Sequence, residues 1–145
     1  MRMGRRRFEN KLQKILFFDY WALVCGEKER SERHNRFFIL FGLTVDGFAG
    51  KGLVELLQNE LRSSDYVFVV KDSCDPFHNV SLKLGILLPE TDLQGAEIVK
   101  ERLATLFRVN SIPIQMKQAV YPDDATEPEQ LLKMAFGNAL SIGTV

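Results

Sequence analysis

The spacing of apolar residues divides the chain into helical and extended stretches. Phe8, Leu12, Ile15, Leu16 and Leu23 recur at helical intervals, which predicts a long helix from Phe8 to about Ser31. Its charged end, Glu27-Lys-Glu-Arg-Ser-Glu-Arg33, reads as a solvated face leading into a loop. Phe37 to Val45 is an almost unbroken β-branched and aromatic run, the signature of a strand covered on both faces, and assigns Phe37, Phe38 and Phe41 to the core. After the Gly47 and Gly50 turn region, Leu53, Leu56, Leu57 and Leu61 return to helical spacing.

Tyr66 to Val70 predicts a second strand, and the alternation of Val80, Leu82, Leu84, Ile86 and Leu88 a third. The polar, turn-rich Lys71-Asp-Ser-Cys-Asp-Pro-Phe-His-Asn79 between them predicts a hairpin with a long, mobile tip around Pro76. Thr91 with Gln94 forms a capping box ahead of a helix striped by Ala96, Val99, Leu103 and Leu106. Ile112, Ile114, Met116, Gln118 and Val120 alternate as a fourth strand with Pro113, Gln115, Lys117 and Ala119. Thr126 with Glu129 gives a second capping box, opening a helix from Leu131 to Leu140. The order α-β-α-β-β-α-β-α predicts an α+β fold with a ferredoxin-like βαββαβ core, an N-terminal helix and a C-terminal helix.

Composition narrows this picture without naming a function. At 145 residues the chain fits a single domain, taken as residues 1–145. Basic and acidic residues are 19 each, so no global field draws in nucleic acid or an acidic membrane. The most apolar stretch, Ile15 to Val24, is interrupted by Asp19 and falls well short of the roughly 20 residues that span a bilayer. Cys25 and Cys74 are too few for a disulfide framework and lack metal-ligand spacing, which favours a reducing, cytoplasmic setting. His34 and His78 have no nucleophile beside them.

Several segments, in order, resemble the GGDEF domains of diguanylate cyclases. Gly4-Arg-Arg-Arg-Phe-Glu-Asn-Lys-Leu12 is similar to the family's opening helix, Leu43-Thr-Val-Asp-Gly-Phe48 to its first catalytic strand, and Leu87-Leu-Pro-Glu-Thr91 to its hairpin exit. Ala96 to Arg102, Ala119-Val-Tyr-Pro122, Leu131-Leu132 and Ala139-Leu140 resemble the elements that follow. The resemblance implies a nucleotidyl-cyclase palm-type fold. It does not carry over the chemistry. Family members hold metal ions with a first-strand aspartate and an acidic residue of the Gly-Gly-Asp/Glu-Glu-Phe turn, because phosphoryl transfer between nucleotides needs hard oxygen ligands. Here Thr44 stands at the first acidic position of the strand and Asp46 at the second, and the signature turn is replaced by Lys71 to Asn79. Asp72, Asp75 and His78 in that segment read as solvated loop residues. The resemblance therefore implies a degenerate, non-enzymatic module with no catalytic residues, no metal and no cofactor.

What the chain retains is Arg62-Ser-Ser-Asp65, which resembles the Arg-x-x-Asp inhibitory site through which family members bind cyclic di-GMP. Arg102 falls where the family supplies a further arginine, often across a dimer. Arginine suits a guanine edge or a phosphate, and aspartate accepts from guanine N–H groups. These residues are expected to form a cyclic di-GMP site serving signal transduction. The alternative is a ligand-free interaction or dimerisation domain. In that case Arg62 and Asp65 make an exposed ion pair worth a few tenths of a kcal/mol, and Arg102 pairs with Glu97 or Glu101. Phe17, Phe18, Tyr20 and Trp21 are candidates for a surface facing a protein partner or a second copy.

Overall fold

The computed structural model describes residues 20–46, 50–74 and 80–137. The opening residues of the expected first helix, the hairpin tip at 75–79 and the chain after 137 lie outside them. The order is α1 (Tyr20–His34), β1 (Phe38–Asp46), α2 (Gly50–Glu60), β2 (Tyr66–Cys74), β3 (Val80–Pro89), α3 (Leu93–Val109), β4 (Ile114–Tyr121) and α4 (Pro128–Phe136). The four strands form one antiparallel sheet in the order β2-β3-β1-β4, as expected for an α+β, ferredoxin-like core.

The alternation of β1 divides the interior in two. Ile39, Phe41, Leu43 and Val45 point to one face, where they meet Leu53 and Leu57 of α2 and Ala96, Leu103 and Phe107 of α3. Phe38 and Leu40 point to the other, where Val24 of α1 and Leu131, Leu132, Ala135 and Phe136 of α4 cover them. Both faces of β1 are therefore buried along Phe38 to Leu43, which is why that stretch carries no polar side chain. On the α4 side Gly42 sits opposite Gly85 of β3. A Cβ at Gly42 would lie 2.0 Å from the Ala135 carbonyl oxygen, and one at Gly85 would lie 2.1 Å from the Phe68 ring. The missing side chains let the helix and the ring settle against the sheet. Phe68 then stacks on Tyr20 at 5.9 Å and meets Phe136 edge-on at 6.4 Å, joining α1, β2 and α4.

Several local expectations change. β2 runs on to Cys74, through a pairing irregularity between Val69 and Lys71, so Lys71 to Cys74 are strand rather than loop. α1 continues to His34, and Glu27 and Ser31 lie on its buried stripe with Val24 instead of on a solvated face. Phe37 precedes the strand and is 43% exposed, so it is not core. β4 starts at Ile114, and its Ala119 is buried beneath α4. Neither capping box forms. Asp92 caps α3 by accepting from the Gly95 N–H at 2.9 Å, and α4 opens with Glu127 at the N-cap, making no side-chain cap bond, and Pro128 behind it.

Candidate functional site

Helix α2 ends where the Leu61 N–H donates to the Leu57 carbonyl, and the Arg62-Ser-Ser-Asp65 turn begins. The turn is closed twice. The Asp65 N–H donates to the Arg62 carbonyl at 3.0 Å, and the Arg62 N–H donates to Asp65 Oδ2 at 2.8 Å. The guanidinium then folds back on the same carboxylate, with Nε 3.2 Å from Oδ1 and Nη2 2.8 Å from Oδ1. The Asp65 side chain is only 2% exposed, so its charge is out of water and depends on these donors. This corrects the expectation of an exposed ion pair: only the arginine half, 56% exposed, reaches solvent.

Arg62 also joins distant parts of the chain. Its Nη2 donates to the Pro89 carbonyl and to Thr91 Oγ1, both at 3.0 Å, while the Thr91 hydroxyl donates to the Pro89 carbonyl. The end of α2, the start of β2 and the exit of β3 are thus tied at one guanidinium. Thr91 fails to cap α3 because its hydroxyl is engaged here, which leaves the cap to Asp92.

Arg102, on α3, reaches the same end of α2. Its Nη2 donates to the Glu60 carbonyl at 2.9 Å and to Glu60 Oε2 at 3.2 Å, a cation placed on the carbonyl end of the helix dipole. Its partner is Glu60, not Glu97 or Glu101 as the sequence suggests. Arg62 and Arg102 therefore bracket the C-terminal end of α2, but they line separate depressions. Arg102 shares one with Ile98, Thr105 and Val109. Arg62 shares the other, of about 470 Å³, with Arg36, Phe37, Glu90 and Thr91. The structure thus brings Arg62 and Asp65 together and sets Arg102 to one side.

At the position of the family's first metal ligand, Thr44 sits between Lys83 of β3 and Gln115 of β4 in the strand register. A lysine directly across from it opposes a divalent cation there. Among the described residues no group of three or more His, Cys, Asp or Glu is placed to hold a metal ion. Of the alternative ligands, Asp72 pairs with Leu82 in the β2–β3 ladder, while Asp75 and His78 lie outside the described residues. Cys25 stands on α1, partly buried. No described helix is long and apolar enough to cross a membrane.

Neither a protein-family model nor a curated protein matches the sequence. Solved structures do. A DGC protein from Thermotoga maritima aligns with a TM-score of 0.60 at 13% identity, covering 80% of this chain and 88% of its own. PelD from Pseudomonas aeruginosa PAO1 aligns at 0.57 and 17% identity, covering 86% of this chain and 47% of its own. PelD from Pseudomonas aeruginosa PA14, solved in complex with c-di-GMP, aligns at 0.51 and 18% identity, with coverages of 79% and 43%. This chain has a GGDEF-like fold. It spans less than half the length of the PelD chains.

Proposed function

We propose that this chain is a catalytically inactive GGDEF-like signalling module that binds cyclic di-GMP at the end of α2. The observation that carries this is a pair of half-exposed guanidiniums, Arg62 and Arg102, held by acceptors at one helix terminus, the first on an Arg-x-x-Asp turn. The PelD structure with c-di-GMP shows that a neighbouring protein of related fold is solved with this ligand. Arg62 and Arg102 offer planar donors to guanine O6 and N7 or to the two phosphates. Asp65 orients Arg62 in the ligand-free state and accepts guanine N–H donors once that pair opens. Thr44 beside Lys83 supports inactivity.

Calorimetric titration with cyclic di-GMP tests this directly. Wild-type protein is expected to bind. Arg62→Ala and Asp65→Ala are expected to abolish detectable heat, and Arg102→Ala to weaken binding by about tenfold. Wild-type affinity in the Arg62 variant would overturn the proposal. The alternative of a ligand-free interaction domain draws on Ile98 and Val109, 60% and 74% exposed beside Arg102. Dimerisation in the absence of nucleotide, lost on Ile98→Glu, would favour it.

A further inference from the structure

The depression around Arg62 also contains a second arginine and an exposed aromatic ring. Helix α1 ends with Asn35 at φ 53° and the Arg36 N–H donating back to the Ser31 carbonyl at 2.9 Å. This is a left-handed helix stop, for which asparagine is suited, and it fixes where the next two residues stand. They are Arg36 and Phe37. Phe38, one residue on, is fully buried, whereas Phe37 remains on the surface next to Arg62.

Across the depression, Arg36 Nη1 is paired with Glu90 Oε1. Glu90 also has a φ of 53°. A glutamate held there costs roughly 1 kcal/mol more than the glycine or asparagine that such a turn prefers. Glu90 belongs to the segment that resembles the family's hairpin exit, and in this chain its side chain is engaged by Arg36. Both members of the pair are at least half exposed, so the bond is weak and readily exchanged. The Arg62–Asp65 bond, with its buried carboxylate, is the harder one to open.

Building on the cyclic di-GMP reading above, we infer that Phe37 and Arg36 form the outer half of that site, and that Glu90 acts as a built-in competitor for Arg36. Phe37 supplies a stacking face for a guanine base, Arg36 pairs with a phosphate, and the ligand must displace the Glu90 carboxylate to bind. Base stacking on an aromatic ring and a charge-assisted phosphate bond each contribute on a scale that titration resolves.

The test is calorimetric titration of cyclic di-GMP into wild type, Arg36→Ala, Phe37→Leu, Glu90→Gln and the Arg36→Ala/Glu90→Gln double variant, with Arg62→Ala alongside. Arg36→Ala and Phe37→Leu are expected to weaken binding by about tenfold. Glu90→Gln is expected to tighten it by about two- to fivefold, and this gain should vanish when Arg36 is also removed. A gain in affinity cannot arise from misfolding, so Glu90→Gln keeps the test decisive. If wild type binds and Arg62→Ala abolishes binding while the Arg36, Phe37 and Glu90 variants match wild type, this inference fails and the receptor proposal stands. If the Arg36 and Phe37 variants lose affinity but Arg62→Ala does not, the outer half is real and the Arg-x-x-Asp assignment fails. Absence of binding by both wild type and Glu90→Gln overturns both.

Discussion

Gly42 and Gly85 face one another across β1 and β3, and each makes room for a different kind of neighbour: the backbone of α4 over the first, the ring of Phe68 over the second. The two sites should therefore respond differently to the same added methyl group. Gly42→Ala drives a Cβ into the Ala135 carbonyl and can be accommodated only by lifting α4, at an expected loss of about 1–3 kcal/mol in urea unfolding. Gly85→Ala meets the tip of a side chain. Its destabilisation should be partly relieved by Phe68→Leu, whereas no single side-chain truncation should relieve Gly42→Ala. Equal losses for Gly85→Ala with and without Phe68→Leu would contradict this account.

Because Asp65 is buried and Arg102 pairs on the surface, the candidate ligand residues should separate in stability. Asp65→Ala removes the acceptor of the Arg62 backbone and side-chain donors and is expected to lower unfolding free energy by about 1–3 kcal/mol. Arg102→Ala breaks an exposed pair and should change it by no more than about 0.5 kcal/mol. Loss of ligand binding in Asp65→Ala must accordingly be read beside its melting curve, while the same loss in Arg102→Ala needs no such correction.

Glu27 gives the fold a pH dependence. Burial holds its carboxyl above the ordinary glutamate value, against the opposing pull of Arg30 and the Ser31 hydroxyl, and Glu90 nearby adds to the rise. The folded protein thus keeps a proton that the unfolded chain releases. The stability this group contributes is full below the unfolded value and is lost as pH rises through the raised folded value. Glu27→Gln should be more stable than wild type near neutral pH, and its advantage should shrink in acid. Denaturant titrations across the acidic to neutral range would show it, and a constant difference between the two proteins would refute it.

Cyclase activity is expected to be absent. Incubation with GTP and Mg²⁺ or Mn²⁺ should yield no cyclic di-GMP by chromatography. Thr44→Asp alone should not restore it, since Lys83 stays opposite that position and the signature turn is still missing from the sequence.

The strands and the stripes of α3 and α4 were legible because each is written in a local period, of two or of about 3.6 residues. The misassignments share a physical cause: partners far away in sequence. Thr91 has the sequence of a cap, yet Arg62, 29 residues earlier, claims its hydroxyl. Arg102 is surrounded by acidic residues on its own helix and bonds Glu60, 42 residues away. Glu27 sits within a charged run that looks solvated, yet it lies on the buried stripe of α1. Arg62 and Asp65 stood out because their spacing resembles a family motif. Arg36 carries no such signal, and only the turn at Asn35 brings it to Glu90.

The irregularity in β2 bears on how copies of this protein can meet. β2 and β4 are the two rims of the sheet, where unpaired backbone groups invite a strand from another molecule. On one rim, the register slips between Val69 and Lys71, breaking the straight row of donors and acceptors that an incoming strand must match. On the other, Pro113 stands just before Ile114 and offers no N–H. Strand-to-strand addition is thereby discouraged along β2 and at the very start of β4.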